Sequence, residues 1–304
     1  MPATPRLLCI GDLGLDLVIS VPRLPGRDQK IAGREVARGA GGMAANVAVG
    51  AQRLGTPARL VATVGNDPDG REAIRHLETE GVDVGHVKTK VGEATFYCVI
   101  LLDQSGEKAL VRAAGGTFLP DPSDLDAAVF ADVTHVHFIH PDPAVFRRGR
   151  DLARAIGASI SLDLEAADMP SDPGALAALI SELDVLFLSM GSRAAPESVA
   201  GPVRPQEGQI VVTTLGASGA TVETAGGVAR VDGRRVDVVD TLGAGDAFAA
   251  AFLHVWLGGA PHDEALAFAN SAAALSTRGY GAQSALARPA EIAAALDSPR
   301  VRHA

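Results

Sequence analysis

The stretch Val236–Phe248 reads V-D-V-V-D-T-L-G-A-G-D-A-F, and its reading decides the fold. The β-branched run Val236–Val239 predicts a strand, Gly243, Ala244 and Gly245 interrupt it, and an alanine-rich apolar run predicts a helix from about Ala247. Small residues between a strand end and a helix start let backbone N–H groups converge on an anion, and the helix N-terminus adds partial positive charge. Asp246 stands at that terminus, with a second acid, Asp240, just upstream. A lone Asp there caps the helix. Beside an anion cradle it also suits a general base that activates a hydroxyl toward a phosphoryl group. No Gly-Lys-Ser/Thr follows, which excludes a P-loop.

Outward from this segment, short apolar runs alternate with alanine-rich stretches. Strands are predicted at Leu7–Ile10, Arg59–Val64, His135–Ile139, Ser159–Leu162, Val185–Leu188 and Gln209–Thr214. Helices are predicted at Ala44–Leu54, Gly70–Glu80, Ala144–Gly157, Pro173–Leu183, Ala247–Leu257 and His262–Ser276. This alternation, with strands that are apolar throughout, belongs to a mostly parallel sheet flanked by helices. No internal repeat or long linker divides the chain, so one doubly wound α/β domain is expected over residues 1–304. Two segments break the rhythm. Leu15–Arg38, with turn signals at Pro22, Pro25 and Gly26, and Ala94–Ala113, with a turn at Asp103–Gly106, read as antiparallel strands of a small separate sheet. A lid formed by about 15–38 and 94–113 is the expectation, and an edge hairpin of the main sheet is the alternative.

Composition narrows the function classes. The chain has 27 basic and 36 acidic side chains, a net charge of −9, which disfavours sequence-independent nucleic-acid binding. Aromatic residues make up 4%, too few for a base-stacking surface. Nearly all basic residues are arginines, the lysines being Lys30, Lys88, Lys90 and Lys108. The longest apolar stretch, Ala247–Val255, is far short of the roughly 20 residues a membrane span needs, and His254 interrupts it. Met1–Arg6 leads straight into a strand without a signal-peptide pattern. Cys9 and Cys98 lie in apolar runs and read as buried thiols, with no spacing that suggests zinc. A cytoplasmic protein with a small-molecule substrate, and no nucleic-acid or membrane partner, is expected.

Asp240–Phe248 resembles the C-terminal signature of the ribokinase-like (PfkB-type) carbohydrate kinases. Gly41-Gly42-Met43-Ala44-Ala45-Asn46-Val47-Ala48, then Leu54-Gly55 and Val64-Gly65-Asn66-Asp67, resembles the N-terminal one. The Gly11-Asp12 turn, Thr214-Leu215-Gly216 with Gly219, and Asn270 also fall in the family's order, so the resemblance covers essentially residues 6–296. It implies the ribokinase-like fold and transfer of the γ-phosphoryl group of ATP, with Mg2+, to a hydroxyl of a sugar or sugar derivative. Asp246 would be the catalytic base, and Gly243, Ala244 and Gly245 the anion hole. Asp12, Asp16, Gly41, Gly42 and Asn46 would bind sugar hydroxyls, for which carboxylates and amides are good partners. Ser189, Thr214, Gly216 and Gly219 would lie along the nucleotide, with Asn270 near the adenine. Asp240 and the Thr241 carbonyl resemble the family's monovalent-cation site for K+, with Arg278–Ser284 as its other half. A homodimer through the lid is implied as well.

Three departures stand out. The family's Asn-x-x-Glu motif should follow Val185–Leu188, where this chain has Ser189-Met190-Gly191-Ser192. Magnesium is then expected on waters, nucleotide phosphates and acids such as Asp163 or Glu165. Met43 stands where ribokinase carries a lysine, and His140 where a sugar-facing acid is expected. Together with Arg112 in the lid, His140 adds donors in place of that acid, which suits an acceptor with an anionic substituent. Three other readings compete. Gly39-x-Gly41-x-x-Ala44 loosely matches a dinucleotide fingerprint, but it follows the irregular Leu15–Arg38 segment rather than the first strand. A nucleoside kinase would use the same scaffold, with Phe96 and Tyr97 as the lid's aromatic pair. A non-catalytic sugar or nucleotide sensor is permitted by the missing Asn-x-x-Glu and opposed by the intact Gly-Ala-Gly-Asp.

Overall fold

A run with no polar face must be covered on both sides, and Leu7–Ile10 is buried at every residue; so is Ala58–Val61, where Arg59 bonds to Asp83 and the Val129 carbonyl. The computed structural model describes residues 6–104, 108–194 and 203–297. Its strands are β1 (Leu7–Ile10), β2 (Gly14–Val21), β3 (Arg34–Gly41), β4 (Ala58–Val61), β5 (Thr63–Gly65), β6 (Lys88–Lys90), β7 (Tyr97–Asp103) and β8 (Lys108–Ala113). They continue with β9 (His135–Ile139), β10 (Ser159–Asp163), β11 (Val185–Ser189), β12 (Ile210–Thr214), β13 (Ala220–Thr224) and β14 (Gly227–Val231). The helices that matter below are α1 (Met43–Leu54), α2 (Pro68–Thr79), α3 (Pro143–Ala155), α4 (Pro173–Ser181), α5 (Ala244–Leu257) and α6 (His262–Ser276).

The main sheet has the order β14-β13-β12-β11-β10-β9-β1-β4. It is parallel from β12 to β4, and β13 and β14 add an antiparallel edge. Side chains of α1, α5 and α6 (Val47, Ala48, Ala250, Leu266) cover one face, and those of α3 and α4 (Phe146, Leu176) cover the other. Each such fully buried large apolar side chain contributes about 1.5–3 kcal/mol. Strand order reverses between β1 and β9, and ligands of open α/β sheets bind beyond the carboxyl ends of the strands at such a switch point.

The second expected sheet forms, with the order β3-β2-β7-β8. Its central pair, β2 and β7, is parallel, so the expectation of wholly antiparallel pairing is corrected. Part of the turn expected at Asp103–Gly106 lies outside the described residues. The predicted strand Arg59–Val64 is two strands, because β5 leaves the main sheet to pair with β6. Val236–Val239 is not a strand: it meets no neighbouring ladder, and Val238 and Val239 are exposed. The Thr277 carbonyl alone receives the N–H groups of Val239 and Asp240, at 2.8 and 3.1 Å. α5 starts at Ala244, earlier than predicted, because Gly243 caps it in the left-handed region at φ 72°. Among the described residues no helix is long and apolar enough to cross a membrane.

Candidate active site

Five parallel strands end on residues that the sequence singles out. Asp12 lies just past β1 and His140 just past β9, while Asp163, Ser189 and Thr214 end β10, β11 and β12. All five line one cavity of about 330 Å³, closed on its other sides by the start of α5 and by the small sheet.

The expected base and anion hole lie on the α5 side. No side chain caps this helix, and Gly243, Ala244, Gly245 and Asp246 all line the cavity. Its first-turn N–H groups, with the helix dipole behind them, are therefore placed where an anion can bond to them. A Cβ on Gly243 would sit 2.6 Å from the Ala282 Cβ, so the turn admits only glycine. Asp246 lies in the first turn rather than at the cap, and its Oδ2 accepts from Asn46 Nδ2 at 2.7 Å. Burial pushes the Asp246 carboxyl well above its ordinary range; the Asn46 N–H pulls it back, while Asp163, Asp12 and Glu165 push it further up. A carboxylate raised in this way is a stronger base than one in water.

Asp12 and Asp16, the acids expected to meet the sugar, line the same cavity. Asp12 Oδ1 accepts from Ala44 N at 3.0 Å, so one of its oxygens anchors α1. Gly42, at φ 99°, brings the backbone so close that a Cβ there would lie 2.7 Å from the Asp12 carbonyl oxygen. Asp16 is pushed up to about 7 by burial and by the charges of Asp12 and Asp240, with Gly41 packed directly against its carboxylate. Asp163 is likewise pushed up to about 7, by burial and by Glu165, whose own carboxyl is raised by burial and by Asp168. Cys98 lines the cavity too, its thiol pushed up to about 12 by burial, and Cys9 is a buried free thiol.

His140 and Arg112, expected as donors toward the acceptor, are joined by Asp168, a residue that was not expected. His140 Nδ1 lies 2.6 Å from Asp168 Oδ2, and Arg112 Nη2 lies 3.2 Å from Asp168 Oδ1. Both cluster on Phe118, whose ring lies 4.7 Å from the Arg112 guanidinium carbon and 4.7 Å from the His140 ring. Burial opposes the Asp168 charge, yet His140 and Arg112 hold its carboxyl below the usual range. His140 Nε2 is buried without a protein partner and its ring lines the cavity. No motif marks Asp168; only the short Ala166–Asp168 turn after β10 delivers it. Lys108 of β8 is a further site residue that no motif marks; its Nζ donates to Thr241 Oγ1 at 3.1 Å and joins the small sheet to the anion-site loop.

Of the residues expected along the nucleotide, Ser189 and Thr214 line the cavity, whereas Gly216, Gly219 and Asn270 do not. Asn270 Nδ2 donates to the Val231 carbonyl at 3.0 Å, and Gly219 packs against the same carbonyl. Where the Asn-x-x-Glu motif was expected, Ser189 Oγ donates to Ser192 Oγ at 2.9 Å. Asp240 accepts from Leu242 N and Gly281 N, both at 2.9 Å, which joins the two halves of the expected cation site. Among the described residues no group of three or more His, Cys, Asp or Glu side chains is arranged to hold a metal ion.

This architecture is a doubly wound sheet with a buried carboxylate, Asp246, at a helix N-terminus that no side chain caps. The chain belongs to the pfkB family of carbohydrate kinases, which it matches over residues 4–288. It is 34% identical over 283 residues to the ATP-dependent ribose-1-phosphate kinase of Halopiger xanaduensis, covering 92% of this chain and 94% of that one. It is 29% identical to the ribokinase of Haemophilus influenzae, with the same coverage of each chain. The structure of Arabidopsis thaliana ribokinase complexed with ribose and ATP superposes with a TM-score of 0.80 at 23% identity, covering 98% of this chain and 100% of that one. The protein is therefore an ATP-dependent sugar kinase of ribokinase-like fold.

Proposed function

We propose that this kinase phosphorylates a hydroxyl of a sugar bearing an anionic substituent, a pentose phosphate being the favoured class. The observation that carries the catalytic half is Asp246, bonded to Asn46 at 2.7 Å directly behind the uncapped Gly243–Gly245 turn, in one cavity with Asp12 and Asp16. Asp246 takes the proton of the acceptor hydroxyl as its oxygen bonds to the γ-phosphorus of ATP. The bond to the β-phosphate oxygen breaks and ADP leaves. Charge developing on the transferred group meets the N–H groups of the α5 turn, with Lys108 beside them. The small sheet keeps water out as a lid. Ser189 and Thr214 line the phosphate path, and Gly216, Gly219 and Asn270 extend it toward the base of the nucleotide.

Asp163 and Glu165, two carboxyls raised by burial, the first also by the charge of the second, fit a Mg2+ ion held partly through water and nucleotide phosphates, which would neutralise phosphate charge. Asp240 and the Thr241 carbonyl, tied to Gly281, are the proposed K+ site. Exposed Tyr97, Leu110 and Val111 support a homodimer through the small sheet. A cytoplasmic setting, where ATP is at hand, suits the reaction.

The anionic substituent is supported by Arg112 and Lys108 in the cavity wall and by His140 in place of an acid. The ribose-1-phosphate specificity named for the Halopiger relative points the same way. The test is an ATP-coupled screen over ribose, fructose, pentose phosphates, sugar acids and nucleosides. A pentose phosphate with the highest kcat/KM is the expected result. A neutral sugar or a nucleoside in first place overturns the anionic acceptor, and nucleotide binding without turnover on any acceptor leaves a sensor.

A further inference from the structure

Asp246, Asn46, Gln283 and His76 come from four separate elements and form one hydrogen-bonded line. Asn46 Nδ2 donates to Asp246 Oδ2 at 2.7 Å, and Gln283 Nε2 donates to Asn46 Oδ1 at 2.8 Å. His76 Nε2 lies 2.8 Å from Gln283 Oε1. Asp246, Asn46 and Gln283 are buried, and half-buried His76 ends the line on α2. Neither Gln283 nor His76 lines the active-site cavity; both line a second one, of about 420 Å³, between the small sheet, α2 and residues 280–284.

The chemistry of the groups fixes the direction of this line. A carboxylate only accepts, and a primary amide donates at one end and accepts at the other. Asn46 must turn its NH2 toward Asp246, which leaves its carbonyl in need of a donor. Gln283 supplies that donor with its own NH2, and its carbonyl in turn needs one, which His76 Nε2–H provides. A reversed Asn46 would present a carbonyl to Asp246 and favour the protonated acid, which cannot take a proton from the acceptor. Gln283 is itself held in place: Arg53 Nη1 donates to the Gln283 and Leu286 carbonyls at 2.8 and 3.1 Å, while Arg53 Nε and Nη2 grip Glu80.

We infer that Gln283 and His76 are positioning residues for phosphoryl transfer: they hold Asn46 in the one amide orientation that keeps Asp246 a proton acceptor. The inference rests on Asp246 being the base. It goes beyond that assignment because the two residues touch neither acceptor nor nucleotide and act only through Asn46. A buried amide needs a partner for stability alone, so the test separates catalysis from folding.

Gln283→Met, His76→Phe and His76→Gln are made in the full chain, and kcat and KM are measured with ATP and the best acceptor of the screen. Gln283→Met should lower kcat about 10-fold with both KM values within about 2-fold, the mark of an interaction used in the transition state. His76→Phe should lower kcat about 3-fold, and His76→Gln, which restores an N–H donor, should return it to the parent value. In the Asp246→Asn background Gln283→Met should be silent, because groups that act as a unit are not additive. If Gln283→Met does not fold, the His76 pair, nearer the surface, carries the test alone. Equal loss with and without Asp246, raised KM at constant kcat, or no rescue by His76→Gln overturns the inference while Asp246 remains the base. Near-parent turnover of Asp246→Asn alone overturns the base assignment instead.

Discussion

The two walls of the cavity use their polar atoms differently. On the α5 side they are bound to one another: Asp246 to Asn46, and Asp240 to Leu242 and Gly281, all above the buried run Ala247–Leu253. The small sheet is thin. On β8, Leu110 is 48% and Val111 63% exposed, and Arg112 reaches the cavity from a half-exposed strand. Chemistry needs groups fixed to within a fraction of an ångström, and the packed helix, where the proposed base lies, meets that need. Acceptor choice tolerates a wall that moves, and loops or thin sheets on rigid scaffolds commonly carry it. On the proposed assignment, catalysis and acceptor preference in this kinase should be separable by mutation.

The comparison breaks most sharply at Asp246. Asp246→Asn should lower kcat by about 10²–10⁴-fold, as loss of a general base does, while ATP affinity measured by calorimetry stays within a few-fold. Turnover near the parent's would move the chemistry off this wall.

A smaller effect is expected from Asp16, where the walls meet. Its carboxyl titrates at about 7 in the folded chain, against about 3.9 unfolded. The folded state therefore holds the extra proton between those values, and stability falls as pH rises from about 4 to about 7 and then levels off. Asp16→Asn should raise the thermal midpoint at pH 7.5, leave it nearly unchanged at pH 4, and impair acceptor binding. An equal shift at both pH values would mean that Asp16 is not strained.

Potassium sharpens the α5 side. Replacing a bulky organic cation by K+ at constant ionic strength should raise kcat a few-fold by ordering the loop that Asp240 ties to Gly281. A flat response would leave Asp240 as a structural tie only. The smallest effect concerns the lid: acceptor binding should slow amide exchange in β2, β3, β7 and β8 more than in the main sheet. Unchanged exchange would make the small sheet a fixed wall.

Much of this was legible because the signals are local. Continuous apolar strands announced the parallel sheet, and the Gly-Ala-Gly-Asp turn announced the start of a helix. Val236–Val239 misled because β-branched residues make a strand only where a neighbouring strand can pair, and here only the Thr277 carbonyl is near. The parallel β2–β7 pairing was not legible, because both chain directions give the same alternation of burial. Asp168 was missed because His140 and Arg112, the partners that give it meaning, are joined to it only by the fold. Gln283 lay inside a segment singled out for a cation, and its bonds to His76 and Asn46 join residues remote in the chain.

The separation of the two walls is tested most directly by Arg112→Ala, with kcat/KM measured for ribose-1-phosphate and for ribose in parent and variant. Removing the proposed charge-assisted bond to an anionic acceptor, together with the Arg112 pairing to Asp168, should cut the preference for ribose-1-phosphate about 10-fold or more while turnover of ribose stays within a few-fold. A drop in both activities by the same factor, or a parent enzyme that prefers ribose, would contradict the account.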